Sequence, residues 1–251
     1  MYDPVHLANS LEKAISEGER RKYYRFRGAR WYGGIATGDV VGCNLLCHFC
    51  WARDNVRLNA SKVGDLFSPE ESFARLDGIA RSKGYGLLRL SGQEPTIGKD
   101  HLLSLLRLID DSPHHFILET NGIMIGHDRD YAPAIASHRR ASVRVSLKGA
   151  SEEEFSRLTG ARPEGYGLQL KALERLHEAG ADFHVALMTS FSSQENLERL
   201  LERLKSIDQS IAQNVEAEEL ILYPHVVNRL QREGISMSKG HRPDSVPPEL
   251  V

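Results

Sequence analysis

Three cysteines, Cys43, Cys47 and Cys50, fall within eight residues of one another, and the chain has no others. They stand in Gly42-Cys43-Asn44-Leu45-Leu46-Cys47-His48-Phe49-Cys50-Trp51, a C-x3-C-x2-C spacing that follows an apolar run over residues 36–42. Thiolates are strong metal ligands, and three this close act together unless the fold holds them apart. As zinc ligands they would need His48 as a fourth, making a Cys3His module of the kind that binds nucleic acid. Structural zinc usually draws two ligand pairs from separate knuckles, and no second pair exists here. A cubane iron–sulfur cluster normally takes four thiolates; three would leave one iron open to a small molecule. An open iron on a reducible cluster suits one-electron chemistry on a bound cofactor.

This spacing, with the aromatic Phe49 just before the third cysteine, resembles the signature of the radical S-adenosylmethionine (radical SAM) superfamily. The resemblance spans about residues 36–225. It implies a [4Fe-4S] cluster on Cys43, Cys47 and Cys50 whose unique iron chelates the amino and carboxylate groups of S-adenosylmethionine. It also implies reductive cleavage to a 5′-deoxyadenosyl radical and a reductant such as flavodoxin or ferredoxin. Downstream, Ser91-Gly92-Gln93-Glu94-Pro95-Thr96 resembles the family's G-G-E-P motif, with serine and glutamine as departures. Gly92 would let the backbone approach the ligand closely, and Glu94 would accept from the methionine ammonium. Glu119-Thr120-Asn121-Gly122 and Ser146-Leu147-Lys148-Gly149 look like the D-T-N-G and D-L-K segments of the pyruvate formate-lyase-activating enzyme branch. By that resemblance Glu119 sits near the ribose or an adjacent polar site, and Lys148 pairs with the methionine carboxylate; Asn121, in the same segment, is a further cofactor candidate. Glu119 and Ser146 stand where that branch has aspartates, so a cation site built on those aspartates does not carry over. The candidate cofactor contacts are thus Phe49, Gly92, Glu94, Glu119, Asn121, Ser146 and Lys148; no catalytic group beyond them is identified.

Positioning such groups takes several chain segments that end side by side. Short apolar runs at residues 36–42, 86–90, 115–119, 142–147, 182–188 and 220–223 alternate with amphipathic stretches, the rhythm of parallel β/α units. Ser68-Pro69-Glu70-Glu71, Ser151 with Glu154, and Ser192 with Glu195 are capping signatures that open helices. Further helices are expected over 99–110, 130–138 and 167–179. Each candidate contact follows a strand, at the carboxyl end where α/β folds collect ligands. Six units are too few for an eight-fold barrel. The pattern admits an open sheet or a curved one; the resemblance implies a partial (β/α)6 barrel. His184 and Met188 on the fifth strand, and Tyr223 and His225 at the end of the sixth, are secondary candidates.

With 251 residues, the chain suits one α/β domain. We read residues 1–32 as a basic, aromatic-rich extension, 33–225 as the radical SAM core and 226–251 as a tail without periodicity. Lys and Arg (32) nearly balance Asp and Glu (34), which argues against a polyanion-coating protein. Three cysteines are too few for a disulfide scaffold. No charged and apolar leader opens the chain, and no apolar run approaches the roughly 18 residues of a membrane span. A cytoplasmic protein is expected, with no membrane partner.

With all three cysteines in one cluster, none remains for an auxiliary cluster, for sulfur insertion or for a methyl-carrier thiol. What remains is a core that makes a radical and removes a hydrogen atom from something else. Similar length and the E-T-N-G and S-L-K-G segments suggest a glycyl-radical-enzyme activase acting on a protein. The alternatives are radical modification of a small molecule or of RNA. RNA is suggested by the basic and aromatic residues interleaved from Arg20 to Tyr32. The plainer reading of that run is a basic first helix or strand that packs its aromatics under the barrel while its arginines reach solvent.

Overall fold

Parallel strands need crossover connections of a dozen or more residues, and the spacing between the apolar runs supplies them. In the computed structural model, which describes residues 1–247, the strands are β1 (Ser16–Glu17), β2 (Arg20–Ala29), β3 (Ile35–Val40), β4 (Asp65–Phe67), β5 (Leu87–Ser91), β6 (His115–Thr120), β7 (Ala141–Leu147), β8 (Phe183–Met188) and β9 (Val215–Glu218). They form one sheet in the order β1-β2-β3-β5-β6-β7-β8-β9, with β4 paired to β2. Strands β3 and β5 to β9 are mutually parallel, giving the expected partial (β/α)6 barrel; β2 joins antiparallel.

The helices are α1 (Pro4–Ile15), α2 (Asp54–Arg57), α3 (Pro69–Lys83), α4 (Lys99–Asp110), α5 (Ile123–His127), α6 (Tyr131–Ala136), α7 (Glu152–Thr159), α8 (Glu164–Glu178), α9 (Gln194–Ile207), α10 (Gln209–Gln213) and α11 (Pro224–Arg232). At α3 the capping box is complete: Ser68 and Glu71 bond each other's backbone reciprocally. At α7 only half of it forms. Ser151 accepts from the Glu154 N–H, but the Glu154 carboxylate turns to the Ala150 N–H (2.8 Å) and the Ser192 hydroxyl (2.5 Å). Ser192 is therefore occupied, and Ser193 caps α9 in its place. Among the described residues, no helix is long and apolar enough to cross a membrane.

The sixth barrel strand differs from the expectation at residues 220–223. The strand beside β8 is β9, Val-Glu-Ala-Glu, whose two glutamates hide it from any apolar pattern. Leu220–Ile221 (β10) instead pairs with Gly240–His241 (β11) in a small second sheet. The stretch after Gly234 thus contributes a strand despite its lack of periodicity; residues 248–251 of the expected tail lie outside the described residues.

Residues 20–29 form a strand of the main sheet rather than an appendage. Tyr23 is buried, stacks on Phe26 (centroids 4.9 Å) and meets Phe67 edge-on (5.9 Å). Its phenol bonds Nε2 of His101 (2.7 Å), whose Nδ1 is 2.7 Å from the Glu19 carbonyl. A carbonyl only accepts, so Nδ1 carries the proton and Nε2 accepts from Tyr23. Burial pushes the His101 pKa down to about 4, which sets a pH dependence. The unfolded chain binds the proton below its ordinary value near 6.5 while the folded chain does not, so stability is lost as pH falls from about 6.5 towards 4. The expected loss in the apoprotein is about 3 kcal/mol. Urea titrations across that range check it, and His101→Gln should flatten the slope.

Candidate functional site

The cysteine loop leaves β3 through Gly42, whose φ of +90° and a Cβ that would fall 2.6 Å from Ile15 leave room only for glycine. Side chains from distant elements then fix the loop. The Tyr2 phenol accepts from the Leu46 N–H (2.7 Å) and donates to the Thr159 carbonyl (3.2 Å). Arg229 of α11, fully buried, donates to the carbonyls of His48 (3.3 Å), Cys50 (2.8 Å) and Ala52 (3.2 Å) and pairs with Asp54 (2.9 Å). Replacing Arg229 by methionine orphans three carbonyls and should cost about 3 kcal/mol, read by denaturant melts, with loosened metal retention.

The three thiols are unpaired and line one cavity of about 1040 Å³. Gly92, Glu94, Asn121, Phe49, Glu119, Ser146 and Lys148 line the same cavity. Gly92 has φ +87°, and a Cβ there would stand 3.0 Å from Asp39 and from the Tyr24 ring. On Glu94, Oε1 accepts from the Thr96 N–H (3.1 Å) and the hydroxyls of Thr96 and Thr120 (both 2.6 Å), while Oε2 takes only the Asn121 N–H (2.8 Å). Oε2 is thus the oxygen with capacity left for a ligand ammonium. The Asn121 side-chain amide donates to Oδ1 of Asn44 in the cysteine loop (2.8 Å), so Glu94, Asn121 and the cysteine loop form one connected unit. Lys148 donates to Ser146 (2.5 Å), which donates to Glu218 (2.5 Å), and its ammonium stands 5.9 Å from the Phe49 ring centre. Phe49 packs against Phe191.

The inner wall below these loops is charged. Arg25 and Arg27 meet Asp39 (2.7 and 2.8 Å), Arg89 meets Glu119 (2.6 Å), and Arg144 meets Glu216 (2.7 Å) and Glu218 (2.9 Å). Glu119 also accepts from the Tyr32 phenol (2.8 Å). Burial would raise Glu216, but hydrogen bonds from His184 and Arg144 overcome it and bring its pKa down to about 2. Glu218 is likewise lowered against its burial, by Arg144 and Lys148. Of the secondary candidates, Met188, Tyr223 and His225 line the cavity. His184 lies off it, bonded to Glu216 (3.1 Å).

Residues 39–207 match the model of the radical SAM superfamily. The chain belongs to the radical SAM superfamily. It is 27% identical over 187 residues to the pyruvate formate-lyase-activating enzyme of Clostridium pasteurianum, covering 72% of each chain. It is 31% identical over 125 residues to the 7-carboxy-7-deazaguanine synthase of Methanothermobacter thermautotrophicus, covering 46% of this chain and 47% of that one. Streptococcus suis SuiB bound to S-adenosylmethionine shares the fold at TM-score 0.53 and 17% identity, over 76% of this chain and 43% of that one. This radical SAM enzyme accordingly uses a [4Fe-4S] cluster and S-adenosylmethionine.

The donor set fits such a cluster. Burial pushes the Cys47 thiol up to about 12, opposed by Lys148, and holds Cys43 well above its ordinary value; bound metal charge is what holds such thiols as thiolates. Among the described residues, no three His, Cys, Asp or Glu side chains gather closely enough for a single metal ion. A cubane takes its thiolates at separate corners rather than around one ion.

Several residues of this radical SAM site escaped sequence reasoning. Buried Gln169 of α8 donates to the carbonyls of Asn121 and Ser146 and accepts from the Lys148 N–H, tying the ends of β6 and β7. Arg21 shapes the Glu94 loop through the carbonyls of Ile97 (2.7 Å) and Glu94 (3.3 Å). Neither carries a motif. Arg229 and Glu216 had no signal beyond their charge.

Proposed function

We propose that Cys43, Cys47 and Cys50 ligate three irons of the cluster, and that Glu94 and Lys148 receive the ammonium and carboxylate of S-adenosylmethionine. The observation that carries this reading is the convergence of three unpaired thiols, the free lone pair of Glu94 Oε2 and the Lys148 ammonium on one cavity. When bound, the reduced cluster and cofactor supply a 5′-deoxyadenosyl radical that removes a hydrogen atom from the substrate. The protein's own part is to hold and orient. Thr96, Thr120 and the Asn121 N–H fix the Glu94 carboxylate, Gly92 clears a path for the ligand, and the Ser146–Glu218 relay steadies Lys148. Phe49 walls the cluster side from solvent, and Glu119 adds an acceptor for the nucleoside or the substrate.

Equilibrium dialysis of S-adenosylmethionine against the reconstituted enzyme tests the assignment. Lys148→Ala should weaken binding about tenfold or more, the worth of a charge-assisted contact; unchanged affinity would remove Lys148 from the site. The substrate is proposed to be a small molecule admitted to the charged barrel interior. Similarity to the pyruvate formate-lyase-activating enzyme over 72% of both chains favours a second reading, activation of a glycyl-radical protein.

A further inference from the structure

Positive charge is left over on one side of the barrel interior. We infer that Arg25 and Arg27 bind an oxyanion, a carboxylate or a phosphate, carried by a small-molecule substrate; this rests on the radical SAM reading of the cavity. The fully buried Asp39 side chain accepts from Nε of Arg25 (2.7 Å) and from Nε and Nη2 of Arg27 (2.8 and 3.1 Å). One carboxylate serves two guanidiniums, so one positive charge has no counterpart. Other arginines of the wall have carboxylate partners of their own: Arg89 faces Glu119, and Arg144 faces Glu216 and Glu218.

The geometry leaves this surplus available. Among the described residues, neither terminal nitrogen of Arg25 and not Nη1 of Arg27 has a hydrogen-bond partner. Both side chains line the cavity. Asp39 pins each fork from behind, so an incoming oxyanion meets pre-aimed donors. The pair also adjoins the loop assigned to S-adenosylmethionine, because a Cβ on Gly92 would touch Asp39 at 3.0 Å.

A second feature shapes the same chamber. Tyr32 has φ +57°, a left-handed backbone that non-glycine residues rarely adopt. Its phenol is bonded to Glu119 and the Arg89 guanidinium lies 5.8 Å from its ring, so the strained turn delivers an aromatic face to the cavity. Trp31 and Tyr24 line it as well. Five of the eleven basic and aromatic residues from Arg20 to Tyr32 therefore line this chamber. A small molecule carrying an oxyanion would offset the surplus charge of Arg25 and Arg27 beside these aromatic faces.

The test is equilibrium dialysis of the reconstituted enzyme, loaded with S-adenosylmethionine, against labelled inorganic phosphate and, separately, labelled succinate. About one equivalent of one probe should bind, and the probe that binds tells phosphate from carboxylate. Arg25→Gln should weaken that binding at least about tenfold, whereas Arg203→Gln on the outer helix α9 should leave it intact. Arg27 keeps two bonds to Asp39 in Arg25→Gln, so the fold has a reason to survive; Arg25→Lys, which keeps the charge, should recover part of the affinity. The inference is overturned if neither probe binds, if Arg25→Gln binds as well as the parent, or if a glycine-containing peptide saturates the enzyme while both anions fail. Cleavage of S-adenosylmethionine by the parent enzyme without any anion is measured alongside. If cleavage fails, the radical reading falls; cleavage without anion binding removes only the oxyanion site.

Discussion

Cys47→Ala is expected to leave a folded chain that can no longer hold its cluster. Cys47 is buried but small, so losing the thiol should cost only about 1 kcal/mol of stability in the apoprotein. The functional loss is of another size. With two thiolates in place of three, anaerobic reconstitution should fall from about four irons per chain to a small fraction of that, and reductive cleavage of S-adenosylmethionine should drop to background. Iron assay and the visible absorption of the reconstituted protein give the answer directly. A variant retaining the parent's iron content would show that Cys47 is not a ligand.

Glu94 carries the second large effect because it both supports and binds. Its carboxylate satisfies two backbone N–H groups and two hydroxyls in a buried setting. In Glu94→Ala the hydroxyls can rotate towards other acceptors, but the N–H groups of Thr96 and Asn121 cannot. At about 1–3 kcal/mol for each orphaned donor, the loss is on the order of 4 kcal/mol, a large part of a typical domain's 5–15 kcal/mol. Glu94→Gln keeps the shape and one acceptor oxygen, so it should lose less stability. It should still lose affinity for S-adenosylmethionine, because a neutral amide replaces the carboxylate that meets the ammonium. Urea melts and cofactor binding, measured on both variants, separate the two roles. If Glu94→Gln binds the cofactor like the parent, Glu94 only holds the loops together.

Most of what positions this site was readable because it is local. Helix α4 falls on the residues its periodicity marks, 99–110, and the box at Ser68 and Glu71 forms as its spacing requires. The motif residues at the ends of β5, β6 and β7 share one cavity because parallel β/α units place every strand end on one face. Strand β9 was hidden for a physical reason. Its cavity-facing residues include Glu216 and Glu218, both paired to Arg144, 72 and 74 residues away. A charge whose partner lies on another strand leaves no local pattern. The same holds for Arg229, which reaches back about 180 residues to the cysteine loop, and for Asp39, whose two arginines come from a strand the sequence shows only as a basic run.

The most direct measurement is 5′-deoxyadenosine released by the anaerobically reconstituted enzyme given S-adenosylmethionine and dithionite. Product that depends on reductant and is absent in the Cys47→Ala chain is the expected result. Protein that takes up stoichiometric zinc with no iron, or iron-loaded protein that forms no 5′-deoxyadenosine, would contradict it.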